Sequence, residues 1–369
     1  MHVDMGRLTT QIALQINSLM ECMDIVDALY NTLPLLEKLD VTSLQKSTNQ
    51  LLEPVKQLLE PIKQLLEPIK QLHSHLNDFK IFHHCAAITR LYSAYETFID
   101  KLVGEYLEQL PKLYPAYVDL PEALRTQNRN AIGKILQKWG KESWQYSQLT
   151  EKSLVEGLSK GVSGEADYYL LSHAFLIESN NYRAHVIEKI FHGIGIDKPI
   201  EYVQRSMKMQ ELMQSSLYFG DSIDVILNQI VSYRNNFSHS EPDNLISPKI
   251  LNFYMQFLNI FCEILRERLD SELISRRISQ GIGIKKYGVI IKRFKDNIVG
   301  VKGIMQTTIH ENDNVVLWSN QRGLWGKIKS IELNHKTKKQ LRVSSDTVFS
   351  LRLDIKAKEG NELYEFSDI

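Results

Sequence analysis

The sequence predicts a mainly α-helical protein that ends in a small β-rich domain. Three observations carry that expectation. Apolar residues recur at three- and four-residue spacing through long stretches before residue 280. Helix punctuation accompanies them, most plainly at Ser247-Pro248, an N-cap followed by proline at the first helical position. From residue 284 the character changes to β-branched, partly alternating runs separated by Gly, Asn and Asp. The 369 residues suggest two or three domains. With 43% hydrophobic and 24% charged residues the composition is that of a globular protein. A formal net charge of +0 gives no global attraction to nucleic acid, so any electrostatic footprint must be local. Cys22, Cys85 and Cys262 are far apart and unmatched, which argues for a reducing compartment and against a disulfide frame. The region after Met1 is polar and lacks the apolar core of a signal peptide. No run of about 18 apolar residues exists, so no membrane span is expected and the cytoplasm is the expected location.

Residues 8–38 read as one helix or a bent pair, with Leu8, Ile12, Leu14, Ile16, Leu19, Met23, Val26, Leu29 and Tyr30 at helical intervals. The segment, residues 1–40 as a unit, is expected to pack on a partner chain or on the central domain. Residues 51–71 repeat a seven-residue unit, Leu-Leu-Glu-Pro-Val-Lys-Gln and then Leu-Leu-Glu-Pro-Ile-Lys-Gln twice. That period suits a coiled-coil seam. Pro54, Pro61 and Pro68 oppose it, since each interior proline costs a helix about 3 kcal/mol. Residues 41–78 are therefore read as a spacer, either a kinked helix held by neighbours or a semi-extended linker, with the kinked helix favoured.

A helical domain is expected over residues 79–278. Ile88, Leu91, Tyr95, Phe98 and Leu102 alternate three and four apart and form a core-facing stripe, with Glu96 at its border. His83-His84-Cys85 has metal-ligand chemistry, but adjacent helical residues point about 100° apart and no second ligand pair sits at a suitable spacing. No metal site and no cofactor are expected. Leu120-Pro121 opens another helix that runs through Ile132, Ile135, Leu136 and Trp139. Residues 165–193 give further helix, with Tyr168, Tyr169, Leu171 and Phe175 as core candidates, and Gly193-Ile-Gly195 reads as a helix stop. After Ser247-Pro248, Ile250, Tyr254, Phe257, Leu258, Phe261 and Leu265 fall at core spacing, and the helix is expected to end in mixed charge at Arg266-Glu-Arg-Leu-Asp, closing the helical domain.

Residues 284–369 contain four β-like runs, at 287–291, 314–318, 327–333 and 348–353. They are read as a small antiparallel sheet or barrel. Lys285, Lys286, Lys292, Arg293 and Lys295, then Lys336, Lys338 and Lys339, give it a basic bias. Trp318, Trp325 and Phe294 could stack on bases. The plainer reading is a solvated basic surface over an aromatic core.

The stretch with the most chemistry is Tyr233-Arg-Asn-Asn-Phe-Ser-His239-Ser240. It packs a fixed cation, an amide and an imidazole into about one and a half turns of helix. The helix before it is capped by Asp221 or Ser222 and carries Ile223, Ile226 and Ile230 on one stripe. Pro242 keeps it from running far past His239. Asn235 and His239 are four apart and can hydrogen-bond, which would fix the imidazole tautomer. Arg234 supplies a forked donor that suits phosphate. The imidazole titrates near neutral pH and can give or take a proton. These are parts for phosphodiester chemistry on RNA. An Arg and a His near a helix end are also a common solvated terminus, and on spacing alone that plainer reading is favoured, because the bare pattern is short.

Arg234-Asn235-x-x-x-His239 resembles the R-x(4–6)-H signature of the HEPN superfamily, with the polar residue after the arginine that many members carry. Leu91-Tyr-Ser-Ala-Tyr-Glu96-Thr-Phe-Ile-Asp100 resembles the family's first helix with its embedded acid. Residues 178–196 resemble a segment of a toxin-like branch best known from cyanobacteria. The resemblance covers about residues 80–275. It implies an up-and-down helical bundle, to which the residues themselves add the N-terminal helical and repeat extension and the small C-terminal β domain. It also implies a metal-independent endoribonuclease, a toxin or antiviral effector, with RNA as partner, a symmetric homodimer and a cognate antitoxin or inhibitor. In that reading Arg234 binds the scissile phosphate and His239 is the general acid or base. Asn235 orients His239 or touches the phosphate, and Glu96 positions Arg234. The alternative is a non-catalytic HEPN module that binds RNA or a partner protein, and a third is a helical scaffold assembled by the repeat. One departure stands out: HEPN toxins silenced by adenylylation carry Tyr two residues after the histidine, where this chain has Glu241.

Overall fold

The computed structural model describes residues 10–21, 28, 76–139, 149–176, 181–215, 222–239, 246–295, 297–319 and 322–366. The Leu-Leu-Glu-Pro repeat, Pro242 and Glu241 lie outside the described residues. Helix α1 covers residues 10–21. Its Ile12 and Ile16 are buried in the main helical core, so this part of the N-terminal segment packs on the central domain. Leu14, counted in the sequence stripe, points to solvent.

Helix α2, Leu76–Leu113, is the first long element. Its stripe Ile88, Leu91, Tyr95, Phe98 and Leu102 is buried as the spacing implied. Burial is wider than that stripe: Tyr92, Ile99, Val103, Tyr106 and Leu107 are covered too, because α2 is packed on more than one side. Helix α3 is Glu122–Lys138, with Pro121 just before it instead of inside its first turn. Helix α4, Glu151–Val162, opens on a capping box in which Thr150 and Ser153 exchange hydrogen bonds.

The expected helix over 165–193 is broken. A single helical turn at Ser172–Phe175 and a later helix α5, Ala184–Gly193, replace it. Tyr168 explains part of the break, since its hydroxyl donates to the Tyr114 carbonyl at 2.6 Å and anchors non-helical chain. Helix α5 stops as expected. Gly195 takes φ of 80°, Ile196 N donates to Phe191 O and Gly195 N to His192 O. Helices α6, Pro199–Gln204, and α7, Met207–Ser215, follow.

Helix α8, Ile223–His239, is capped by Ser222, whose Oγ accepts from Val225 N at 3.2 Å. Helix α9, Pro248–Gln280, is capped by Ser247. It does not end in the charged stretch near Asp270 but continues to Gly281, because Arg268 and Arg276 both bridge to Glu272 along its face. Both α8 and α9 pack on α2. An aromatic column runs through the contact, with Tyr95 edge-on to Phe261 and Phe261 stacked on Phe257.

The C-terminal region is larger than the four runs suggested. Among the described residues it holds strands β1 Ile284–Lys295, β2 Ile298–Gly303, β3 Thr307–His310, β4 Asn314–Ser319, β5 Arg322–Leu333, β6 Lys336–Lys338, β7 Gln340–Val343, β8 Val348–Leu353 and β9 Glu362–Phe366. The order β4-β9-β1-β2-β8-β5, closed by β5 pairing back to β4, makes a six-stranded antiparallel barrel. Its interior is Tyr287, Ile290, Val299, Val301, Leu317, Ile331, Leu351, Leu363 and their neighbours. The β3–β7 ribbon adds Ile309 and Leu341 to that core.

The last turns of α9 join the two regions. Gly323 N donates to Ser271 Oγ at 3.1 Å, and a side chain at Gly323 would meet Ile274 at 2.5 Å. Arg277 lies 4.5 Å over the Phe366 ring, and Phe366 meets Trp325 edge-on at 4.6 Å. Trp318 and Trp325 pack against the small cluster of Ile274, Ile284, Val316 and Tyr364. The two tryptophans read from sequence as possible stacking residues are therefore part of this junction. Phe294, the third, is 55% exposed.

Candidate functional site

The motif helix α8 lies against α2, so Arg234 and Glu96 approach from different elements. Arg234 has a half-buried side chain. Its guanidinium sits over the Tyr92 ring, 4.8 Å from the centroid, and Nη1 donates to Asn235 Oδ1 at 2.9 Å. A cation over an aromatic face is held electrostatically by the ring quadrupole. Tyr92 is one turn before Glu96 on α2, and its hydroxyl donates to Glu96 Oε1 at 3.3 Å. One tyrosine thus supports the arginine with its ring and touches the acid with its hydroxyl.

Burial raises the Glu96 pKa, the Arg234 charge pulls it back down, and the Asp100 carboxylate raises it further. The Tyr92 phenol is pushed up to about 12, mainly by burial. It stays protonated and available as a donor at neutral pH.

The acidic edge continues along α2. Asp100, two turns after Tyr92, accepts from the Tyr182 hydroxyl. Burial raises the Asp100 pKa, and the Tyr182 bond and His173 oppose the rise. Tyr182 is fixed at three points, since its N–H donates to Tyr92 Oη at 2.8 Å and its carbonyl accepts from Tyr95 Oη at 3.1 Å. The adjacent Arg183 donates to Asn228 Oδ1 on α8 at 3.0 Å. The segment before α5 therefore latches α2 and α8 together beside Arg234. Sequence reading assigned no role to Tyr92, Asp100, Tyr182 or Arg183. The available signal was Tyr92, Glu96 and Asp100 at four-residue intervals, a polar edge beside the apolar stripe of that helix.

The structure brings Glu96, Arg234 and Asn235 into one neighbourhood. Asn235 is engaged by Arg234, the residue beside it. His239 is the last residue of α8. Its imidazole, and with it the hydrogen bond expected from Asn235, lies outside what the structure describes. In the His83-His84-Cys85 triplet His84 is buried. Among the described residues no three His, Cys, Asp or Glu side chains are grouped to hold a metal ion.

The RiboL-PSP-HEPN family model matches residues 54–271. The chain belongs to the RiboL-PSP-HEPN family. The match takes in α2, α8 and most of α9, so Glu96, Arg234 and His239 all fall inside the HEPN module and the barrel falls outside it. That membership points to a module that cleaves or binds RNA. Among curated proteins none matches the chain. Among solved structures, the C-terminal domain of a Geobacillus thermoleovorans protein assigned as a U32 peptidase aligns over 23% of this chain and 93% of that one, at 10% identity and a TM-score of 0.20. No helix among the described residues is long and apolar enough to cross a membrane.

Proposed function

We propose that the chain is a metal-independent endoribonuclease of the HEPN type, acting as a toxin or antiviral effector. The observation that carries the reading is Arg234 held between the Tyr92 ring and Asn235, beside the Glu96 carboxylate, on the helix that ends at His239. An arginine that is already positioned loses less freedom when it grips a phosphate.

In this reading the ribose 2′-OH loses its proton to a general base and its oxygen attacks the adjacent phosphorus. The bond to the 5′ oxygen of the next nucleotide breaks, and that oxygen takes a proton from a general acid. The products carry a 2′,3′-cyclic phosphate and a 5′-OH. Arg234 stabilises the charge on the phosphoryl oxygens. His239 moves one of the protons. Glu96, through Tyr92 and its own charge, positions Arg234, and Asn235 fixes the guanidinium's orientation. One imidazole per chain for two proton transfers favours a homodimer that brings two motif segments together. A cognate antitoxin would then act by covering that cleft.

A second reading keeps the same residues and removes the chemistry. The Tyr92 and Asn235 contacts of Arg234 are also those of a structural arginine, as a non-catalytic RNA- or protein-binding HEPN module would show. Labelled RNA incubated in EDTA with wild type, His239→Ala and Arg234→Ala separates the two. The ribonuclease reading expects cleavage to survive chelation and His239→Ala to lose about 10²- to 10⁴-fold in rate while still binding RNA. Wild-type cleavage that vanishes in EDTA and returns with a divalent ion, or a His239→Ala chain as active as wild type, rejects it.

A further inference from the structure

The barrel lies outside the residues that match the family, and one of its hairpins is built unlike the rest. Strand β9 covers β1 only from Ile284 to Val289. Ile290 still exchanges backbone hydrogen bonds with Asn361 and Gly360 just before β9; from Ile291 on, β1 pairs with β2 alone, and its ladder is interrupted at Ile291 and again at Phe294. Each interruption inserts an extra residue and twists the ribbon. The result is five consecutive exposed residues, Ile291-Lys-Arg-Phe-Lys295, where a regular barrel strand would bury every second one. The free edge of this ribbon is not open to strand addition, since Glu359 Oε1 accepts from Arg293 N at 3.1 Å.

Phe294 is seated here as a platform. A side chain at Gly300 would come within 3.3 Å of the Phe294 ring and 3.7 Å of Lys292 Cβ, so both residues lie over the bare backbone of β2. The Lys292 ammonium is 5.4 Å from the ring centroid. The ring remains 55% exposed despite this support. Next along the sheet, Ile298 pairs Lys295 with Arg352 of β8, and Gly300 pairs Lys292 with Ser350. Lys302 continues the outer face of β2 and is paired to Asp346 at 2.8 Å. Glu332 stands opposite Ser350 on β5. The cations Lys292, Lys295, Lys302 and Arg352 thus outnumber the carboxylates Glu332, Asp346 and Glu359 across this face.

We infer that the outer face of the β1–β2 hairpin binds single-stranded RNA, with a base stacked on Phe294 and the flanking phosphates met by Lys292, Lys295 and Arg352. A supported aromatic ring set among cations matches the alternation of flat base and anionic linker in a single strand. A duplex hides its base faces and could use only the cations. The whole chain is net neutral, so attraction of nucleic acid has to come from a local surface, and this face is one with an excess of cations. The inference stands on the barrel's own side chains and holds whether or not Arg234 and His239 cut RNA.

The test measures anisotropy of a labelled 2′-O-methyl single strand, which resists 2′-OH attack, with the full chain. Phe294→Ala should weaken binding about 5- to 150-fold, the loss of one stacked base. Phe294→Trp should restore it, which a folding defect would not allow. The same loss should appear in an Arg234→Ala background, so that contacts at the helical site are not the cause. A duplex of the same sequence should bind more weakly to wild type and be insensitive to Phe294→Ala. Single-strand affinity unchanged by Phe294→Ala, or a Trp variant as weak as the Ala variant, overturns the inference and leaves the ribbon to a protein partner.

Discussion

The Tyr92 hydroxyl carries two bonds, a buried one from Tyr182 N and a half-buried one to Glu96. Tyr92→Phe keeps the ring under Arg234 but leaves the Tyr182 N–H without that acceptor. A loss of about 1–3 kcal/mol in chemical denaturation is expected. Tyr92→Leu removes the ring as well, and a further loss of about 0.5–2 kcal/mol is expected from the cation's lost partner. If Arg234 is positioned through this ring, RNA cleavage should fall further in the Leu variant than in the Phe variant. Equal stability of all three proteins would show that Tyr92 is a bystander. Glu96 and Arg234 could be singled out in the sequence through the segments that resemble the HEPN family, and the structure brings their charges near enough to act on each other. Tyr92 and Tyr182 were not, since their bond joins residues 90 apart in sequence and no local spacing announces it. The His239 imidazole stays an expectation from sequence.

Helix α9 carries a buried carboxylate in mid-course. Asp270 is 6% exposed, and Arg266 Nη1 meets its Oδ2 at 2.6 Å. Burial, opposed by Arg266 and reinforced by Glu267 and Glu105, pushes Asp270 from its ordinary 3.8 to about 6. The folded state therefore holds this proton more tightly than the unfolded chain. The stability that follows is fully present below about pH 3.8 and is lost as pH rises through about 6. Relative to Asp270→Asn, wild type should lose about 2–3 kcal/mol between roughly pH 4 and pH 7 in denaturant titrations. Parallel stability curves for the two proteins would contradict the assignment. At the end of α5, Gly195 occupies φ of 80°. Gly195→Ala should cost about 1 kcal/mol, read as a lowered melting temperature. This stop was legible because Gly has few other uses at a helix end. The end of α9 was not, since the same charged run that resembles a helix terminus is bridged along the helix face. In the barrel, β2 and β9 escaped notice for a related reason. Gly300 interrupts the short β-branched run Ile298-Val299 and Val301 in β2, and β9 mixes acids with its buried Leu363.

At the scale of the whole molecule, the helical region and the barrel meet through Gly323 on Ile274 and Phe366 under Arg277. Gly323→Val should push the barrel off α9 and split a joint thermal transition into two, measurable by calorimetry, at a cost of about 1–3 kcal/mol. A single unshifted transition would mean that the junction tolerates the side chain. The two-region plan was visible in the change of residue character near 284. The junction was not, because Trp318 and Trp325 look the same in sequence whether they face a base or a neighbouring helix. The position of β9 has a consequence for synthesis. It is the strand that joins β4 to β1, and among the described residues the buried members of the main helical core end at Leu273, with Ile282 packed against them. On the ribosome the helical unit can close its core while the barrel still lacks the strand that completes its ring. A chain interrupted before Glu362 would thus carry a finished HEPN module beside a sheet with two raw edges, the kind of species that chaperones and proteases meet first.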